Sequence, residues 1–175
     1  MAVQTASNDI SPNAVREHIR NLAQAYESLR LSMSPGHDRT NSLEQVASQM
    51  RSLGLTVLPF LAELKGSTSA GERLAAVTAL EITPRIDSLD WLADRINEER
   101  PFIGYHAALA LRAAVRAFPS SSPVSTAPAN ADTDSPQTKI CQAIAKAMKY
   151  LDDNELHHTD RYDVLAAVKS EGKCQ

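Results

Sequence analysis

Aromatic side chains are scarce in this chain, with one Trp, four Tyr and three Phe among 175 residues. A basic excess, a cysteine framework and a long apolar run are lacking as well, and each gap removes a class of function. The formal charge of −3 and a pI near 5.9 do not supply the electrostatic footprint of a dedicated nucleic-acid binder, although a local basic face is compatible with them. The two cysteines, Cys141 and Cys174, are too few for a disulfide framework and fit a reducing compartment, with Cys141 read as a small core residue. The N-terminal stretch MAVQTASNDISPNAV has no basic n-region and no apolar h-region. No segment approaches the roughly 18 apolar residues of a membrane span, so the cytoplasm is the expected location. There is no Gly-x-Ser-x-Gly elbow, no Gly-rich phosphate loop and no CxxC pair. No enzyme activity and no cofactor are therefore expected.

What the chain does have is Ala and Leu, which carry much of a hydrophobic share of 43% to which aromatics add only 5%. Both are strong helix formers, and small side chains let helices approach closely. The expected fold class is all-α, a HEAT-like α-solenoid or helical bundle of about eight helices in antiparallel pairs. Ser11-Pro12 is a good helix start, a capping residue followed by proline at the first helical position. Val15, Ile19, Leu22, Tyr26, Leu29 and Met33 then recur at alternating spacings of four and three, a heptad-like stripe. Ser34-Pro35-Gly36 ends that helix, and Leu43, Val46, Met50 and Leu53 mark a second one, which predicts an antiparallel hairpin.

The middle of the chain repeats. At an offset of 31, Leu58 meets Leu89, Phe60 meets Trp91, Leu74 meets Tyr105 and Leu80 meets Leu111, with no gap across the intervening turn. Each copy reads as a short helix, a turn and a longer helix. In the first copy Pro59 lies within the short helix, and Ser69 with Glu72 is expected to open the longer one as a capping box. Helix pairs repeating at this period are the signature of an α-solenoid.

Residues 119–136, PSSSPVSTAPANADTDSP, hold four Pro and five Ser and read as a flexible linker or a long loop. Beyond it Ile140, Ile144, Met148 and Leu151 form another amphipathic stripe, and a last helix from about Thr159 uses Tyr162, Leu165 and Val168. The expected organisation is a helical repeat domain over 11–118, the linker, and a helix pair over 137–170 that caps the same domain.

Candidate chemistry is thin. Asp152, Asp153, Glu155, His157, His158, Asp160 and Asp163 crowd one stretch, but the spacing matches neither HExxH nor a calcium loop, and Thr159 or Asp160 as helix cap accounts for most of it. His106, in the alanine-rich run YHAALALRAAV, reads as a partly exposed packing residue rather than an acid or base. A helical enzyme or metal protein built on His106, His157 and His158 is the reading these groups would need. Trp91, Phe102 and Tyr105 concentrate three of the eight aromatic rings in one helix pair, where they either anchor a partner or fill the core. Gly104 beside them allows a close helix crossing or a close ligand approach. Arg73, Arg95, Arg100, Arg112 and Arg116 share that region with Glu72, Asp94, Glu98 and Glu99. Most are expected in intrahelical or inter-repeat pairs, and a fraction to line a concave partner-binding groove.

The runs SAGERLAAVTAL and WLADRINEERPFIGYHAALALRAA, with PGHDRT before them and TDRYDVLAAV after them, resemble helical modules of bacterial signalling and conflict proteins. Such modules accompany TIR-like, caspase-like or trypsin-like effector domains. The resemblance spans most of residues 35 to 168 and implies a module that recruits or regulates an effector on another chain; it implies no catalytic residues. The function expected from these observations is a non-enzymatic scaffold or adaptor that binds a protein partner through Arg73, Trp91, Arg95, Tyr105 and Arg112. The alternative is a small-ligand or nucleotide sensor with an Arg-lined groove between helix pairs.

Overall fold

The computed structural model describes residues 11–119 and 135–174, and these are all-helical. Helix α1 (Pro12–Ser32) starts as its sequence predicts: the Ser11 hydroxyl accepts the Ala14 N–H at 3.3 Å, and Pro12 gives up no hydrogen bond at the first helical position. Its stripe of Val15, Ile19, Leu22 and Tyr26 is buried, and Leu29 packs at the edge of the core. Helix α2 (His37–Ser52) buries Leu43, Val46, Ala47 and Met50 and packs back on α1, completing the expected hairpin.

The segment around Pro59 is more broken than a single short helix. It runs as α3 (Gly54–Val57), a 3-10 turn (Leu58–Phe60) and α4 (Leu61–Lys65). Proline has no N–H and its ring crowds the preceding turn, so the helical ladder is interrupted there. Helix α5 (Ala70–Ile82) is capped by the Ser69 hydroxyl, which accepts the Glu72 N–H at 3.2 Å. The return arm of the expected capping box is rerouted. Ser67 donates its hydroxyl to the Glu72 carboxylate and accepts the Ser69 N–H at 3.0 Å.

Helices α6 (Leu89–Glu98) and α7 (Pro101–Ala117) follow, with α7 starting 31 residues after α5, at Pro101 against Ala70. Of the Pro/Ser-rich stretch, 120–134 lie outside the described residues. Helix α8 (Pro136–Asp153) is capped by Ser135, and α9 (Asp160–Glu171) is the last.

Helix α7 is the centre of the packing. It contacts α5 on one side and α6 and α9 on the others, while α5 carries the α1–α2 hairpin and α8 lies on α6 and α9. Ile103, Ala107, Ala108, Ala110, Leu111 and Ala114 of α7 are all fully buried. A helix apolar on most of its circumference belongs in the interior, and alanine is what permits neighbours on several sides. The α1–α5 crossing is tighter still, because a Cβ at Gly71 would lie 2.5 Å from the Ala23 carbonyl oxygen.

The cysteines overturn one expectation. Cys141 and Cys174 are joined by a disulfide, with Cα atoms 5.3 Å apart across a sequence separation of 33. Cys141 is half-buried at the edge of α8 rather than a packed core residue. Two cysteines far apart in sequence carried no sign of pairing; the fold brings them together because α8 and α9 pack against each other and the chain turns back after Gly172.

Candidate binding groove

The α1–α2 hairpin, the first turn of α7 and the first turn of α9 meet around a groove of about 610 Å³. Arg30 comes from the end of α1. Arg39, Thr40, Asn41 and Glu44 come from the start of α2, Phe102 and Tyr105 from α7, and Asp160 and Arg161 from α9. Three guanidinium groups thus face one opening. The side chain of Arg161 is the deepest: it is only 8% exposed, its Nη1 donates to the Ile96 carbonyl oxygen at 2.7 Å, and its Nε has no protein partner. Burial pushes its guanidinium below the ordinary value, with the Tyr150 hydroxyl acting weakly the other way. Gly104 makes this placement possible, since a Cβ there would stand 2.9 Å from the Ile96 oxygen and 3.2 Å from Arg161 Nη1.

Arg39 donates to the Met33 carbonyl oxygen at 3.4 Å, and Arg30 lies beside the fully buried Tyr26 hydroxyl. Burial raises the Tyr26 phenol above its ordinary value, and the neighbouring Arg30 works against that rise. Within the described residues, none of Arg30, Arg39 and Arg161 has a carboxylate within the 4.0 Å of an ion pair. Of the two carboxylates on the groove, Glu44 is committed elsewhere.

Glu44 belongs to a network around His106. The imidazole is 1% exposed, with Nδ1 2.8 Å from Glu81 Oε1 and Nε2 3.1 Å from Glu44 Oε2. Arg51 closes the network, its Nη1 3.3 Å from Glu81 and its Nη2 on Glu44. The expected partly exposed packing histidine is therefore a buried one, with a carboxylate beside each ring nitrogen. Ala107 and Ala108 follow it in sequence, and both carboxylates arrive from other helices, α2 and α5. The Phe102 ring covers it, centroid to centroid 4.6 Å, and Tyr105 meets it edge-on at 5.6 Å.

The residues expected to bind a partner fall in three places. Arg73 and Arg95 converge on the buried carboxylate of Glu99, and Arg95 also pairs with Glu98 one turn along its own helix. Trp91 joins them, with Lys65 at 5.4 Å and the Arg95 guanidinium at 5.6 Å from its ring centroid. Tyr105 lies apart from these, on the groove. Arg112 lies elsewhere again and pairs with Glu171 of α9, which also receives Arg116 at 3.3 Å. The groove arginines were missed by composition and spacing alone. A signal was present all the same: Arg39 and Arg161 stand in the first turns of α2 and α9, where the helix dipole disfavours a cation.

The acidic, His-containing stretch resolves into local contacts. His157 Nδ1 is 3.2 Å from Asp152 Oδ1, and its ring meets Tyr162 edge-on. Thr159 occupies the cap position of α9, yet its hydroxyl turns back to the Leu156 carbonyl oxygen at 2.8 Å. Among the described residues no three His, Cys, Asp or Glu side chains converge as metal ligands, and no helix is long and apolar enough to cross a membrane.

Comparison with protein-family models, curated proteins and solved structures finds no match. The groove and the faces around it must be read from their own residues.

Proposed function

We propose that this chain is a non-enzymatic helical scaffold that binds and regulates a partner protein. The observation that carries the reading is a set of aliphatic side chains facing solvent. Leu55 and Ile82 are 68% and 51% exposed, and the backbone of α3 comes close to Ile82, since a Cβ at Gly54 would lie 3.2 Å from the Ile82 side chain. Ile82 shares a shallow cleft with Leu109, Ala113 and the side chains of Arg112 and Arg116. Grouped apolar side chains with a charged rim are the usual make-up of a protein contact surface. Of the residues named from sequence, Arg112 belongs to this face. Arg73 and Arg95 are occupied by Glu99, and their part in the proposal is to hold the helix pairs together.

The resemblance to modules of bacterial signalling and conflict proteins supports an effector protein as the partner. The location that goes with it is the cytoplasm. There, thiols are kept reduced, so the Cys141–Cys174 bond would be open for part of the protein's life. The test is co-purification from the native host of the wild-type chain beside Ile82→Asp and Arg112→Glu. A discrete stoichiometric partner should be held by the wild type and lost from both variants, and equal recovery by all three removes the proposed surface.

A further inference from the structure

We infer that the groove between the α1–α2 hairpin, the start of α7 and the start of α9 is a binding site for a nucleoside phosphate. Three arginines line it without a carboxylate partner among the described residues, and one of them, Arg161, is 8% exposed. A buried guanidinium cannot shed its proton, and a single carbonyl oxygen leaves its charge uncompensated. A polyanion entering the groove supplies that compensation. Phosphate suits the guanidinium fork, which offers paired N–H donors to its oxygens.

The anion alone does not account for the walls. Phe102 and Tyr105 put two rings on the same opening as the arginines, and the space of about 610 Å³ is the size of a small-molecule site rather than of a single ion. Base stacking on such rings is tolerant of base identity and favourable. Asp160 and Asn41 complete the chemistry. Asp160 is the groove carboxylate left without a cation in the described structure, placed to accept from ribose hydroxyls, and Asn41 offers both a donor and an acceptor to a base edge. The starts of α2, α7 and α9 all border the groove, so three positive helix ends add to the guanidinium charge.

This site is separate from the partner-binding face at Ile82. The experiment is a thermal-shift and calorimetric titration of the full chain with AMP, ADP, ATP and GMP, beside adenosine and inorganic phosphate. The melting temperature should rise with nucleotide concentration, by mass action on the folded state. It should rise less with phosphate and not at all with adenosine. Arg39→Glu and Tyr105→Ala, both at the rim and expected to keep the helical circular dichroism of the wild type, should each weaken nucleotide affinity at least about tenfold. Ile82→Asp should leave it unchanged. No shift with any nucleotide, a shift matched by phosphate alone, or a shift retained in Arg39→Glu overturns the assignment, whatever the outcome of partner recovery.

Discussion

His106 shows how little a residue's sequence neighbours say about its surroundings. Flanked by Tyr105 and Ala107, it sits between two carboxylates supplied by helices 25 and 62 residues away in sequence. Its ring nitrogens stand 2.8 Å from Glu81 and 3.1 Å from Glu44, so one side chain joins helices α2 and α5 to α7. Arg51 reaches the same two carboxylates. Replacing His106 with Ala leaves Glu81, 10% exposed, without its closest donor. Urea unfolding should show a loss of about 2 to 4 kcal/mol, the range for stripping one partner from a buried charged network. The double variant with Glu81→Gln should lose less than the sum of the two single changes, because the stranded charge is gone. Additive losses would mean that the pair is not coupled.

At the scale of elements, the crossing of α1 and α5 joins a close approach to a shared cap. Glu27, on the solvent side of α1, accepts the Ser69 hydroxyl at 2.6 Å and the Gly71 N–H at 3.3 Å, so a carboxylate of one helix caps the start of another. The Ser69 hydrogen bond is the main cause holding the Glu27 carboxyl below its ordinary value, with partial burial opposing it. A depressed carboxyl stabilises the fold once it is ionised. Its contribution is therefore complete at neutral pH and disappears as pH falls through the lowered value. Because Glu27 is largely exposed, Glu27→Gln should cost only about 0.5 kcal/mol at pH 7. Unfolding curves for the two proteins should converge once the pH has fallen below the lowered value, and a difference that persists in stronger acid would place the effect in packing instead.

For the whole molecule, the disulfide ties α8 to the end of the chain. It closes a loop spanning a sequence separation of 33 that contains most of α8 and all of α9. Restricting the unfolded chain in a loop of that length is worth about 3 to 4 kcal/mol in the chain-entropy account. Reduction, or Cys174→Ser, should then lower the melting temperature by roughly 10 °C, taking a few degrees per kcal/mol for a chain of this size. Calorimetry with and without reductant measures it directly, and coincident transitions would show that packing of α8 and α9 suffices without the bond.

Much of the architecture was legible in the sequence. The stripes on α1, α2 and α8, the Ser-Pro starts and the start of α7 in step with that of α5 all rest on local periodicity and capping, which one stretch of chain states by itself. The break at Pro59 belongs to the same class and needed only the proline. The capping Glu27, the Cys141–Cys174 bond, the carboxylates on His106 and the meeting of Arg30, Arg39 and Arg161 could not be read this way. Each joins residues from different helices, and helical period says which face a side chain lies on without saying what lies opposite. The sequence by itself determined that the chain would be helical, where most helices begin, and which faces they bury. The tertiary structure alone decided which charges share a neighbourhood, because ion pairs and grooves form between helices whose mutual placement is set by close packing around α7.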